Sequence, residues 1–433
     1  MTATRLDEWL DAVDGGRLDA TLAELYGEGQ ATDQRRRYRS LLARLGEGAG
    51  DRECVLVTTP GRTELGGNHT DHNNGVVLAA GVHFDILAAA APTGDGVIRV
   101  RSEGFPETVA VRLDELSPRK GEAGTPAALV RGVAAGFADR GWAVGGFDAC
   151  VAGEVPLGAG LSSSAAFEVC MGQVLNQLYN GGQRTPLELA VVGRAAENTY
   201  FGKPCGLMDQ LACAAQGILS IDFADPEAPA VRQVDFDFAA TDYRLVVVDT
   251  GGSHADLTPE YAAIPVEMER AAKVLGRDKA RGLTVARVLD NAARIREEAG
   301  DRALLRLVHF IEETDRAVQQ AEALDRGDMA RYLDLVRQSG DSCWRLNQNC
   351  ISTTDYLDQP IPVALALTER FLGGDGAWRI QGGGFAGTIQ AYVPKERVDA
   401  YAAYMEGVFG RGAVMPVRIR RPGFDVLRPG GRT

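Results

Sequence analysis

At 433 residues and 45% apolar composition the chain can bury substantial cores, and two domains suit its length better than one or four. Its net charge of -13 and pI near 5.0 oppose non-specific binding to nucleic acid or anionic membrane and favour small polar metabolites as ligands. The seven cysteines are an odd number without CxxC spacing, which argues against a zinc or iron–sulfur cluster and for a reducing compartment.

Residues 1 to about 50 read as charged helices anchored by Leu6, Leu10, Leu18, Leu22, Leu41, Leu42 and Leu45. Their start carries acid and no long apolar core, which predicts no secretory signal and a cytoplasmic protein. Valine-rich strands are expected at Val55–Thr58, ending in a Pro-Gly turn, then at Val76–Leu78, His83–Ala89 and Val97–Val100. No stretch approaches a membrane span, since His83 and Asp85 interrupt the most apolar one.

A strand at Phe147–Val151 leads into a glycine-rich turn and a helix with Val169, Cys170, Val174 and Leu178 on one face. Thr185, Pro186 and Glu188 form a capping-box start for a helix to about Asn198, with Glu197 in its last turn. Tyr243–Val248 is a strand, Thr258 and Pro259 open a helical region to about residue 342, and strands return around Arg379–Ile380 and Thr388–Val393. A domain boundary is placed near residue 240, giving units 1–240 and 241–433.

Three segments carry chemistry. In Pro156–Ala166, P-L-G-A-G-L-S-S-S-A-A, the small residues Gly158, Ala159 and Gly160 before Leu161, Ser162, Ser163 and Ser164 free backbone amides at a helix start, a cradle for phosphate. No Gly-Lys-Ser/Thr follows, so the neutralising charge must come from a metal, the helix dipole or a residue elsewhere. A tight turn with one serine as N-cap is the structural alternative. Gly61–Gly75 packs Arg62, Glu64, Asn68, His69, Asp71, His72 and Asn73 between glycines, a density that suits a polyhydroxylated ligand or else a local turn network. Asp209 in P-C-G-L-M-D-Q sits among apolar neighbours and needs a partner, for which Arg62 is the candidate; capping the next helix is the other reading. Together these describe phosphoryl transfer to a hydroxyl.

The motifs closely resemble those of the GHMP small-molecule kinases, galactokinase branch. Galactokinases carry P-G-R-V-N-L-I-G-E-H-T-D-Y-N-x-G, here P-G-R-T-E-L-G-G-N-H-T-D-H-N-N-G from Pro60 to Gly75; P-x-G-x-G-L-S-S-S-A-A stands at Pro156–Ala166. Their A-E-N and G-x-P-C-G-I-M-D-Q stand at Ala196–Asn198 and Gly202–Gln210, and a glycine-rich third motif at Gln381–Gly387.

The resemblance implies an α+β, two-domain GHMP kinase fold, with a ribosomal-protein-like N-terminal domain and a ferredoxin-like C-terminal domain. It implies ATP-dependent phosphorylation of galactose at the C1 hydroxyl, with Asp209 and Arg62 catalytic and Pro156 to Ser164 on the nucleotide. Glu197 with Ser163 or Ser164 would hold Mg²⁺; Arg62, Asn68, His69, Asp71, Asp209 and Tyr261 would face the sugar. No obligate protein partner is implied. Asn68 stands where galactokinases have glutamate, and Glu64, Gly66 and His72 replace Asn, Ile and Tyr, so a neighbouring hexose such as N-acetylgalactosamine is the alternative substrate. After Tyr261 the family's arginine pair is replaced by Ile264 and Pro265. A non-catalytic sugar and nucleotide sensor is the alternative from another class, against which stand both Glu197 and Asp209.

Overall fold

The computed structural model describes residues 4–50, 52–252, 257–353 and 355–430. Its strands are β1 (Thr4–Arg5), β2 (Glu53–Gly66), β3 (Val76–Pro92), β4 (Val97–Ser102), β5 (Thr108–Arg112), β6 (Phe147–Gly153), β7 (Ile218–Asp222), β8 (Ala230–Val234), β9 (Tyr243–Asp249), β10 (Ala377–Ile380), β11 (Thr388–Pro394) and β12 (Val414–Val417). They form two sheets, of eight and four strands.

In the larger sheet the order is β1-β2-β3-β6-β4-β5, and the far half of β3 pairs with β7, which pairs with β8. Period-two alternation sends side chains to two cores. Cys54 and Leu56 of β2, with Leu87, Ala89 and Ala91 of β3, pack under the N-terminal helices on Trp9, Leu22, Leu41 and Leu45. Val55, Val57, Ala88 and Ala90 face the opposite core, where Val169, Val174 and Phe137 cover them.

Two sequence expectations change here. Pro60-Gly61 does not turn the chain: β2 continues to Gly66, absorbing the proline at a register shift between Pro60 and Arg62. Likewise the two segments after residue 76 are one 17-residue strand. The long pairing of β2 with β3, and of β6 and β7 along the other edge of β3, supplies the continuity that the glycine and polar residues obscured.

The smaller sheet is antiparallel throughout, in the order β10-β11-β9-β12. The helix Pro360–Leu372 leads into β10 and Val398–Phe409 joins β11 to β12, the ferredoxin-like plan expanded by helices between β9 and β10. Beyond β12 the chain returns to the larger sheet: Arg420 N donates to Gly81 O at 2.8 Å and Leu427 N to Leu56 O at 3.0 Å. The sheets also meet through side chains, since Gln390 Nε2 donates to Thr63 Oγ1 at 2.8 Å and Thr63 Oγ1 to Gln381 Oε1 at 3.1 Å. At that junction the three motif segments come together.

Candidate active site

The glycine-rich turn 157–160 feeds the helix Ser163–Tyr179, buried along Ala165, Ala166, Val169 and Val174. Pro156 precedes it, Gly158 is open to solvent at φ +77° and Gly160 takes φ +65°, both left-handed. Its inner wall is fastened from two sides. Arg62 N donates to Leu161 O at 3.0 Å and Arg62 Nη1 to Gly160 O, while Thr388 Oγ1 donates to Ala159 O at 3.2 Å. A Cβ on Gly61 would lie 2.6 Å from Leu161 O, so only glycine lets the strand and the turn approach this closely.

Ser162 stands at the N-cap position but does not cap. Its backbone is left-handed at φ 57°, and its Oγ instead donates to Asp209 Oδ2 at 2.5 Å. The other carboxylate oxygen accepts from Arg62 Nε at 2.8 Å. Asp209, in the first turn of the helix Met208–Ala215, is thereby held between the strand and the turn. Burial alone would raise its pKa; the Arg62 charge and hydrogen bond, the Ser162 hydroxyl and Lys203 outweigh it, leaving the carboxyl below the ordinary aspartate value.

The capping box at Thr185 and Glu188 forms, and the helix from Pro186 stays α-helical to Ala196 before a single π turn, Glu197–Phe201. That turn carries Glu197, 1% exposed, to the serine helix. Its Oε1 accepts from Ser164 Oγ at 2.8 Å and Lys203 Nζ at 3.2 Å, and its Oε2 from Gln210 Nε2 at 2.7 Å. Of the two candidate serines it is Ser164 that meets Glu197; Ser163 opens the helix beside it.

Asn68, His69 and Tyr261 grip the third glycine segment. Asn68 Nδ2 donates to Gly382 O at 2.7 Å, His69 Nε2 to Gly383 O at 2.8 Å and Tyr261 Oη to Gly384 O at 2.7 Å. Asn68 is fully buried, and its amide is saturated: Nδ2 also donates to Glu64 Oε1 at 2.9 Å, and Oδ1 accepts from Asn349 Nδ2 at 2.9 Å and lies 3.4 Å from Cys343 Sγ. The carbonyl makes His69 Nε2 the donor, and His72 Nε2 lies 3.4 Å from His69 Nδ1. Burial lowers the His69 pKa to about 4, so the ring is neutral. Asp71 differs: its carboxylate is half-buried over Gly206, where an added Cβ would lie 2.3 Å from Oδ2. Burial, with the nearby Asp209 and Glu64 charges, raises it to about 6.

A polar layer behind the site was not read from the sequence. Glu313 Oε1 accepts from Gly67 N at 3.2 Å, Asn68 N at 3.3 Å and Ser339 Oγ at 2.5 Å. His309 Nε2 donates to Asn68 O at 2.9 Å, and Arg379 Nη2 reaches Glu64 Oε1 at 2.5 Å. A Cβ on Gly66 would fall 1.8 Å from Gln320 Oε1, so the glycine makes room for that amide. The available signal was the spacing of Arg306, His309, Glu313, Arg316 and Gln320 along one helix face, a pattern that otherwise reads as a solvated stripe.

Two family profiles match the chain: "GHMP kinases N terminal domain" over residues 128–217 and "Galactokinase galactose-binding signature" over residues 47–92. A galactokinase of Streptomyces coelicolor is 33% identical over 394 residues, covering 91% of this chain and 96% of that protein. Among solved structures, Lactococcus lactis galactokinase complexed with galactose superposes with a TM-score of 0.76 at 23% identity, covering 88% of this chain and 98% of that one. Methanococcus jannaschii mevalonate kinase gives 0.60 at 14% identity, covering 86% and 100%. The fold is therefore the two-domain α+β architecture of these kinases. With a relative at this identity along nearly its whole length, the chain belongs to the GHMP kinase family, as an ATP-dependent phosphotransferase closely related to galactokinase.

Proposed function

We propose that the protein transfers the γ-phosphoryl group of ATP to the C1 hydroxyl of D-galactose, giving galactose 1-phosphate and ADP. The observation that carries this reading is the Arg62–Asp209–Ser162 assembly at the mouth of the glycine turn, an ionised carboxylate held by a buried cation beside an anion cradle. The sugar oxygen bonds to the γ-phosphorus as the bond to the β–γ bridging oxygen breaks, its electron pair leaving with ADP. Asp209 takes the hydroxyl proton, and Arg62 keeps that carboxylate ionised and aimed. Turn amides from Gly158 to Ser162 and the helix N-terminus at Ser163 receive phosphate oxygens. Asp71 faces sugar hydroxyls, while Asn68, His69 and Tyr261 shape the pocket wall through the glycine carbonyls they hold.

The oxygens of Ser164 and Glu197 suit Mg²⁺, a hard cation that prefers carboxylate and hydroxyl ligands, and they stand 2.8 Å apart at the phosphate end of the site. When bound, Mg²⁺ neutralises charge on the β and γ phosphates. All seven cysteines are free and, among the described residues, no helix is long and apolar enough to cross a membrane, which supports a cytoplasmic setting.

A coupled ADP-release assay over galactose, galactosamine, N-acetylgalactosamine and fucose tests the assignment. Galactose-dependent turnover with Mg²⁺ is expected. Turnover on another member of the panel alone assigns the neighbouring hexose, and binding without turnover assigns a sensor.

A further inference from the structure

The glycine turn has no lysine of its own, yet a triphosphate held there needs cationic charge beyond a single metal and a helix end. Arg62 is already committed, buried against Asp209 and Gly160 O. One other side-chain cation reaches the serine helix in the contacts of this site. Lys203 follows Gly202, whose left-handed φ of 85° ends the π turn and reverses the chain. The reversal is pinned: Lys203 N donates to Glu197 O at 3.1 Å, and Cys205 N donates to Asn198 Oδ1 at 2.7 Å.

The Lys203 backbone is therefore fixed while its side chain stays 60% exposed and reaches Glu197 Oε1 at 3.2 Å. That oxygen also accepts from Ser164 Oγ, so the ammonium sits one contact from the start of the phosphate-binding helix. Its charge is felt at Asp209 on the other side of the site as well. Here it shares with Ser164 the carboxylate oxygen that suits Mg²⁺, and a flexible stem bearing a compact charge can be displaced without unpacking a core.

We propose that Lys203 is the missing phosphate cation of this site: it neutralises Glu197 while the site is empty, and turns its ammonium to a terminal phosphate oxygen when a Mg²⁺-bound triphosphate takes that carboxylate. The inference rests on the kinase reading above and adds a residue to it. A partner immediately before Pro204 in the matched motif, rather than in the turn, resolves how this turn works without a lysine of its own.

The test is calorimetric binding of the non-hydrolysable β,γ-imido analogue of ATP, and of ADP, in the presence of Mg²⁺, to wild type, Lys203→Met and Lys203→Arg. Loss of one charge-assisted hydrogen bond predicts analogue affinity lower by about tenfold or more in Lys203→Met, with ADP affinity within about twofold of wild type and substantial recovery in Lys203→Arg. In turnover assays the KM for ATP rises and the KM for sugar does not. Equal analogue affinity in wild type and Lys203→Met overturns the proposal and leaves the kinase reading standing. Equal weakening of both nucleotides, with a lowered melting temperature, also overturns it, since that is the mark of a support for Glu197. If wild type binds neither nucleotide, the kinase reading fails and this proposal with it.

Discussion

Replacing Asn68 by glutamate puts a second carboxylate beside Glu64 in a fully buried position. The substitution removes the donor to Glu64 Oε1 at 2.9 Å and the donor to Gly382 O at 2.7 Å, and sets oxygen against oxygen at both. One lost bond to a charged group is worth about 1.5–3 kcal/mol and one neutral bond about 1 kcal/mol, and breaking a buried ionic arrangement costs roughly 3–5 kcal/mol in all. Protonation caps that cost: holding a glutamate neutral from a pKa of about 4.3 up to pH 7 takes about 3.7 kcal/mol. The new carboxyl's folded-state pKa is raised, so its destabilisation grows as pH rises above the unfolded value, by about 1.4 kcal/mol per pH unit while the folded state keeps the proton. Urea unfolding followed by fluorescence of the four tryptophans should therefore show Asn68→Glu losing about 2.7 kcal/mol more at pH 7.5 than at pH 5.5, relative to wild type. Adding Glu64→Asn restores one amide facing one carboxylate and should recover about 2 kcal/mol in a double-mutant cycle. A single variant within about 1 kcal/mol of wild type at both pH values, or a cycle with no coupling, would refute the reasoning that a saturated, closed network sits at position 68.

Asp209→Asn should lower phosphoryl transfer by about a hundredfold or more while sparing nucleotide affinity, because it removes the proton acceptor and leaves the turn intact; ADP-release rates beside calorimetric binding check this. Arg62→Met removes the charge that offsets burial at Asp209, so the carboxylate protonates at higher pH and the acid limb of the pH–rate profile moves upward. An acid limb that stays in place would show that Arg62 does not tune this acid. Asp71, raised to about 6, loses its charge as pH falls through that value. The KM for sugar should climb below pH 6, and Asp71→Asn should flatten that dependence.

Glycines, caps and strand alternation were legible in the chain because each is a local demand. Thr185 and Glu188 meet within four residues, and the free amides of the turn follow from Gly158, Ala159 and Gly160 alone. Asp209 stood out because a charge among apolar neighbours calls for a partner, and the resemblance to the family's motifs marked Glu197 with Ser163 or Ser164. The motifs also named Arg62 as the partner of Asp209, and the two meet across 147 positions. Other partners were decided in three dimensions, as where Asn68 meets Gly382 across 314. One serine of the turn was expected to cap the helix; Ser162 takes the N-cap position, but with a left-handed backbone its hydroxyl donates to Asp209 instead of capping. The side chains from Arg306 to Gln320 form the buried support of Asn68, which the sequence did not reveal, since only the packing of that helix against β2 and the turn after it decides whether a polar side chain meets water or protein.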